Sequence, residues 1–308
     1  MSVRANVLIA GLLSAVIILF NANETTAQKP LSKVKNVSGA VEQTRLVKTM
    51  EKGDALWRNG EVEKAVSIYE KLATSNSKNA LVLNTLGGLY VFQERYEEAA
   101  VYFLKALELE PDFATANFNL SVAYFHLKQF GKSLPPAEHA AKLKPENLKI
   151  QTHLCELRAT IAKDKKAIRC FESLEKRFEP KPRTRVSFAL LLMKTDNADK
   201  AITLLEETSK TFPDNPTVHN VLGMAYMKKN RIENAIRQFR WAIELDPKLS
   251  YTRFNLAFAF LLDRNKKAAL EQYQLLKKLD TRLAKRFYKI LYSDKVVFVE
   301  DNFAPDKT

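Results

Sequence analysis

Residues 80–113 read ALVLNTLGGLYVFQERYEEAAVYFLKALELEPDF, and the rest of the chain repeats their pattern. Leu83, Leu86, Gly87 and Tyr90 fall at spacings of 3, 1 and 3, which is one face of a helix. Ala99, Phe103 and Ala106 repeat this in the second half, which stops at Pro111 because proline has no backbone donor to continue a helix. The polar stretch Gln93–Arg95 joins the halves into an antiparallel hairpin. Gly87 and Ala99 are small where the paired helices approach most closely, and Tyr90 and Phe103 fill the space beside them.

Stepping 34 residues at a time gives repeats beginning at Leu46, Ala80, Ala114, Leu148, Pro182, Pro216 and Ser250, the last ending at Leu283. The twentieth position reads Ala65, Ala99, Ser133, Ala167, Ala201, Ala235 and Ala269. The twenty-fourth reads Tyr69, Phe103, Ala137, Phe171, Leu205, Phe239 and Tyr273. Seven in-phase units of this kind resemble the tetratricopeptide repeat (TPR), a 34-residue helix–turn–helix family. The resemblance implies an all-α, right-handed superhelical solenoid of antiparallel hairpins over residues 46–283, which binds partners and performs no chemistry.

The flanks differ in composition. In residues 1–27, Arg4 precedes the apolar run Val7–Phe20, and Thr25-Thr26-Ala27 supply small residues ahead of Gln28, as in a secretory signal peptide. An uncleaved N-terminal anchor is the alternative, although the 14-residue run is short for a span. Both readings export the repeats to a periplasmic or secreted location. Residues 28–45 read as a linker that turns helical near Val41. Residues 284–293, with Phe287, Ile290 and Leu291 in phase, read as a capping helix, and 294–308 as a tail.

Departures from the pattern carry their own expectations. Pro135-Pro136 should kink or shorten the second helix of repeat three, with Ser133 capping a late start. Repeats four and five match least well, and Arg158 stands where an aromatic is usual.

No catalytic constellation is visible, and no cofactor or metal is expected. His126, His139, His153 and His219 fall in different repeats without partner spacing, and His126 and His139 read as surface residues. Cys155 and Cys170 occupy facing positions of one hairpin. They are either two buried small hydrophobes or, given export to an oxidising compartment, a disulfide.

The family resemblance implies a concave groove lined by first-helix residues. It would place Phe118, Asn119, Val122, Phe125, Leu190, Met224, Phe254, Asn255 and Phe258 there, suited to an apolar or amphipathic segment. The alternative is that these side chains are core. Some TPR domains grip a terminal carboxylate. Asn255, Lys285 and Lys289 match part of that arrangement, while Asn220 and Met224 do not. An earlier window, Asn84, Gly88, Asn119, Lys149 and His153, matches less well. Net charge is +14, and residues 264–295 hold ten basic against three acidic side chains. That excess favours an acidic partner or anionic surface, and nucleic acid is not expected.

The sequence therefore describes an exported, non-enzymatic scaffold that binds a protein or peptide, with an acidic end to the ligand, in assembly or maintenance of an envelope complex. The alternative is a membrane-anchored adaptor whose basic C-terminal end contacts an anionic surface. A membrane is involved only if the N-terminal segment stays uncleaved.

Overall fold

The computed structural model describes residues 37–76, 78–162, 165–179 and 181–292. The expected signal peptide, the first part of the linker and the tail lie outside them. The chain divides into two compact units, 1–161 and 162–308. The described residues of the first unit form α1 (Val37–Arg58), α2 (Val62–Ser75), α3 (Ala80–Phe92), α4 (Tyr96–Leu109), α5 (Ala114–His126), α6 (Phe130–Leu143) and α7 (Leu148–Ile161). Those of the second form α8 (Lys165–Arg177), α9 (Pro182–Lys194), α10 (Ala198–Thr211), α11 (Pro216–Lys228), α12 (Ile232–Leu245), α13 (Ser250–Leu262), α14 (Lys266–Leu279) and α15 (Thr281–Leu291).

The repeat phase holds: α3, α5, α7, α9, α11 and α13 each start on the first residue of a 34-residue repeat. The linker is already helical at Val37, which makes α1 a 22-residue helix. The cap begins at Thr281 rather than residue 284, because Asp280 accepts hydrogen bonds from the backbone N–H groups of Arg282 and Leu283.

Each first helix ends in the same way wherever the turn is described. In α3, Glu94 adopts φ +62° while its N–H donates to Val91 O and that of Arg95 donates to Tyr90 O. This is a left-handed helix stop that satisfies two otherwise bare carbonyls. Gly60, Lys128, Asp196, Asn230 and Arg264 hold the equivalent position with positive φ. Only one of the six is glycine, so composition does not announce the turn.

Packing within each hairpin follows the small–large alternation. A Cβ on Gly87 would lie 2.6 Å from the Phe103 ring, and one on Gly223 equally close to Phe239. The bare backbone is what admits the ring. Tyr69, Phe103, Phe171 and Phe239, all at the twenty-fourth position, are fully buried.

Repeat three departs from expectation. Its second helix α6 starts at Phe130 and runs 14 residues, with both prolines inside it. Ser133 does not cap it. The Ser133 hydroxyl donates to Ser121 O at 2.8 Å, and its N–H donates to Gln129 O in regular helical fashion. The prolines take donors only from the carbonyls of Gly131 and Lys132, and both of those residues are exposed to water.

Neighbouring repeats are tied at a joint the sequence reading overlooked. Tyr90 donates to Glu70 Oε1 at 2.7 Å, from position eleven of one repeat to position twenty-five of the one before. Tyr226 and Glu206 repeat the tie in the second unit. Arg158, out of pattern by type, makes it as an ion pair with Glu138 at 2.8 Å. Arg240 makes it as a cation over the Phe260 ring at 5.5 Å. Neither cysteine is a free thiol: Cys155 and Cys170 are both disulfide-bonded.

Candidate peptide-binding face

The first helices of the first unit carry its polar side chains inward. Asn119 on α5 donates through Nδ2 to Asn84 Oδ1 on α3 at 3.1 Å, one repeat and one residue away. Both are buried, and Asn119 Oδ1 has no hydrogen-bond partner. A buried acceptor left bare in this way costs about 1–3 kcal/mol.

Beside it, α7 brings Lys149 and His153. Lys149 Nζ sits 5.0 Å over the Phe118 ring, and His153 packs edge-on against Phe118 and Phe125. His153 Nε2 is 2.8 Å from Ser121 Oγ, which is also 2.9 Å from Ser133 Oγ. The local sequence permits this. Position twenty-four is Ala137 in repeat three, where the other hairpins carry an aromatic ring or Leu205, so position eight can hold a serine rather than a glycine. A Ser–His contact of this kind invites comparison with a nucleophile and its base, but Ser121 is fully buried and serves packing.

His126 is a correction to the surface reading. Its ring stacks on Tyr96 at 4.5 Å with planes 1° apart, and its Nε2 is buried without a partner. Burial lowers its pKa, opposed by the Glu94 charge. Burial, followed by the Glu94 charge, also pushes the Tyr96 hydroxyl up to about 12. His139 lies at an open edge, 2.9 Å from Asp112.

The apolar stripe inferred for the groove is largely core. Phe118 and Val122 are buried in the first unit, Phe254 and Phe258 in the second, and none offers its face to a ligand. The reason is geometric: each position-five ring is covered by the next first helix, Phe118 by His153 and Phe254 by Phe287 at 5.8 Å. Asn255 is likewise buried and donates to Asn220 Oδ1 at 3.1 Å. Phe125, Leu190 and Met224 remain half-buried, and Lys285 and Lys289 exposed. The expected groove residues are thus brought together only in part. Phe125 shares a site with Lys149 and His153, the pair that the weaker carboxylate window contained, while Asn119 is buried against Asn84. Among the described residues, no cluster of His, Cys, Asp or Glu could hold a metal ion. No described helix is long and apolar enough to cross a membrane.

Sequence profiles of the tetratricopeptide repeat match residues 50–79, 84–147, 186–250 and 221–282. The chain belongs to the tetratricopeptide repeat family. Among solved structures, a TPR protein from Parabacteroides merdae is similar over 80% of this chain and 99% of its own, with a TM-score of 0.69 at 15% identity. PilW, a type IV pilus biogenesis factor, is similar over 70% of this chain and 96% of its own, with a TM-score of 0.59 at 16% identity. At these identities the likeness is one of fold. Protein O-mannosyl-transferase TMTC3 from Mus musculus is 27% identical over 116 residues, 33% of this chain and 13% of its own length. The human protein of that name is 26% identical over 114 residues, 32% of this chain and 12% of its own. The chain therefore spans about an eighth of these relatives.

Proposed function

We propose that this TPR chain is a non-enzymatic scaffold that holds an extended segment of a protein partner on the first-helix face of its first unit. The observation that carries the reading is the half-buried group of Phe125, Lys149 and His153 on the first-helix face, gathered with the Phe118 ring. The half-buried ring suits an apolar side chain, and the lysine suits an acidic residue or a terminal carboxylate. The reading includes export, on the strength of residues 1–27, and a role in assembling or maintaining an envelope complex. PilW, which shares the fold, is a pilus biogenesis factor, in keeping with such a role.

Two measurements test it. N-terminal sequencing of the native protein should begin at Gln28 if the signal is cleaved, and cytosolic protein starting at residue 1 would contradict export. In crosslinked co-purification from the native host, a specific partner should be lost with Phe125→Ser combined with Lys149→Glu. A partner retained by this folded variant would contradict the site.

A further inference from the structure

The last two helices of the second unit carry charge and aromatic surface that the peptide-binding reading does not use. A continuous run of side chains crosses from α14 to α15. Lys277 Nζ lies 5.8 Å from the Tyr273 ring, and Tyr273 lies 6.1 Å from Tyr288. Tyr288 lies 4.6 Å from Tyr292, which has Lys266 Nζ 5.6 Å above its ring. Tyr288 is 49% exposed and Tyr292 58%, unusually open for neighbouring aromatics. The helix α15 spends its apolar residues Leu283, Ala284, Phe287 and Leu291 on burial within the unit, which leaves Lys285 and Lys289 turned outward.

The charge on this face is one-sided. Lys266, Lys267, Lys277, Lys278, Lys285 and Lys289 are all exposed. Of the two carboxylates on these helices and their junction, Asp280 is buried and occupied in capping α15, so only Glu271 is exposed.

We propose that this face docks on the surface of an anionic lipid bilayer. Lysines near such a surface contribute additively through its negative potential. Tyrosine, with an apolar ring and a polar tip, suits the headgroup level. The cations are spread over two adjacent helices, with Lys277 at one end of the tyrosine run and Lys266 at the other. On α15 no Leu or Ile is exposed, while α14 exposes Leu275 and Leu279, so the contact is mainly electrostatic with little to insert. The docking face uses residues of the second unit alone, so it stands or falls apart from the peptide-binding face.

Co-sedimentation of the full chain with vesicles tests this. Pure phosphatidylcholine vesicles give the baseline, which reports the Val7–Phe20 run. Phosphatidylglycerol-rich vesicles should bind about tenfold or more tightly than that baseline, with the excess lost at high salt. Lys285→Ala with Lys289→Ala should lower the anionic binding about tenfold and leave the baseline unchanged. Tyr288→Ala with Tyr292→Ala should lower it less. Equal binding to both vesicle types would overturn the proposal. So would a lysine variant of unchanged circular dichroism that binds like the wild type. Displacement from the vesicles by a soluble acidic polysaccharide of equal charge concentration would assign the face to a polymer and overturn it as well.

Discussion

The two units contain the same asparagine pair and use it differently. Asn84 and Asn119 in the first, Asn220 and Asn255 in the second, are each joined at 3.1 Å across adjacent first helices. In the first unit the acceptor of Asn119 stays bare, and the helix that follows brings Lys149 and His153 beside it. In the second unit Asn220 turns its amide toward Met224 Sδ at 4.0 Å, and α15 covers the neighbouring ring of Phe254. Position in the repeat decides which backbone a side chain sits on. What comes next in the stack decides what that side chain touches.

That contrast can be broken by mutation. Phe118→Ala and Phe254→Ala should each cost about 3–5 kcal/mol in denaturant unfolding, because each empties a buried ring site. Loss of partner binding by a Phe254→Ala protein that keeps its full stability would return that ring to the ligand surface. Reducing the disulfide-bonded cysteines should cost about 3 kcal/mol if they close their own loop of about 15 residues. Thiol titration of the unreduced, denatured protein should then find no free thiol. Gly87→Ala and Gly223→Ala should cost about 1–3 kcal/mol each and about equally, since each added methyl meets a phenylalanine ring at the same 2.6 Å. A large inequality would show that the two units do not share one hairpin geometry.

The smallest effect is a pH dependence confined to the first unit. His126 has its pKa lowered by burial below the ordinary 6.5 of the unfolded chain. The unfolded state therefore takes up the proton first as pH falls, and stability present above about pH 6.5 is lost below it. His126→Phe, which keeps a ring against Tyr96, should flatten the curve of melting temperature against pH in that range. An unchanged slope would assign the acid sensitivity to other groups.

The fold was legible because its period is covalent: six first helices begin where a 34-residue step puts them. The left-handed stops were not, since Glu94, Lys128 and Arg264 occupy a conformation that only glycine would have flagged. The site was legible only in part. Phe125 was identified from its repeat position, but Phe118, Asn119, Val122, Phe254, Asn255 and Phe258 were placed on the surface by the same rule and are buried. A repeat position specifies a direction, whereas burial depends on the size of the residue that the following helix places over it. His153 gave one usable signal, its place in the carboxylate window, and its true setting depends on Ala137 being small. The joint between positions eleven and twenty-five was also readable in principle. Tyr–Glu, Arg–Glu and Phe–Arg are all complementary pairs, 20 residues apart, but their chemistry changes from repeat to repeat.

The central claim is that a partner segment lies on the first-helix face of the first unit, and photocrosslinking in the native host tests it most directly. A photoreactive residue in place of Phe125 is compared with one at Leu104, an exposed position on α4. The account predicts a discrete adduct from position 125 that disappears when Lys149→Glu and His153→Ala are added, with little or none from position 104. Equal adducts from both positions, or an adduct at 125 that survives the double substitution, would contradict it.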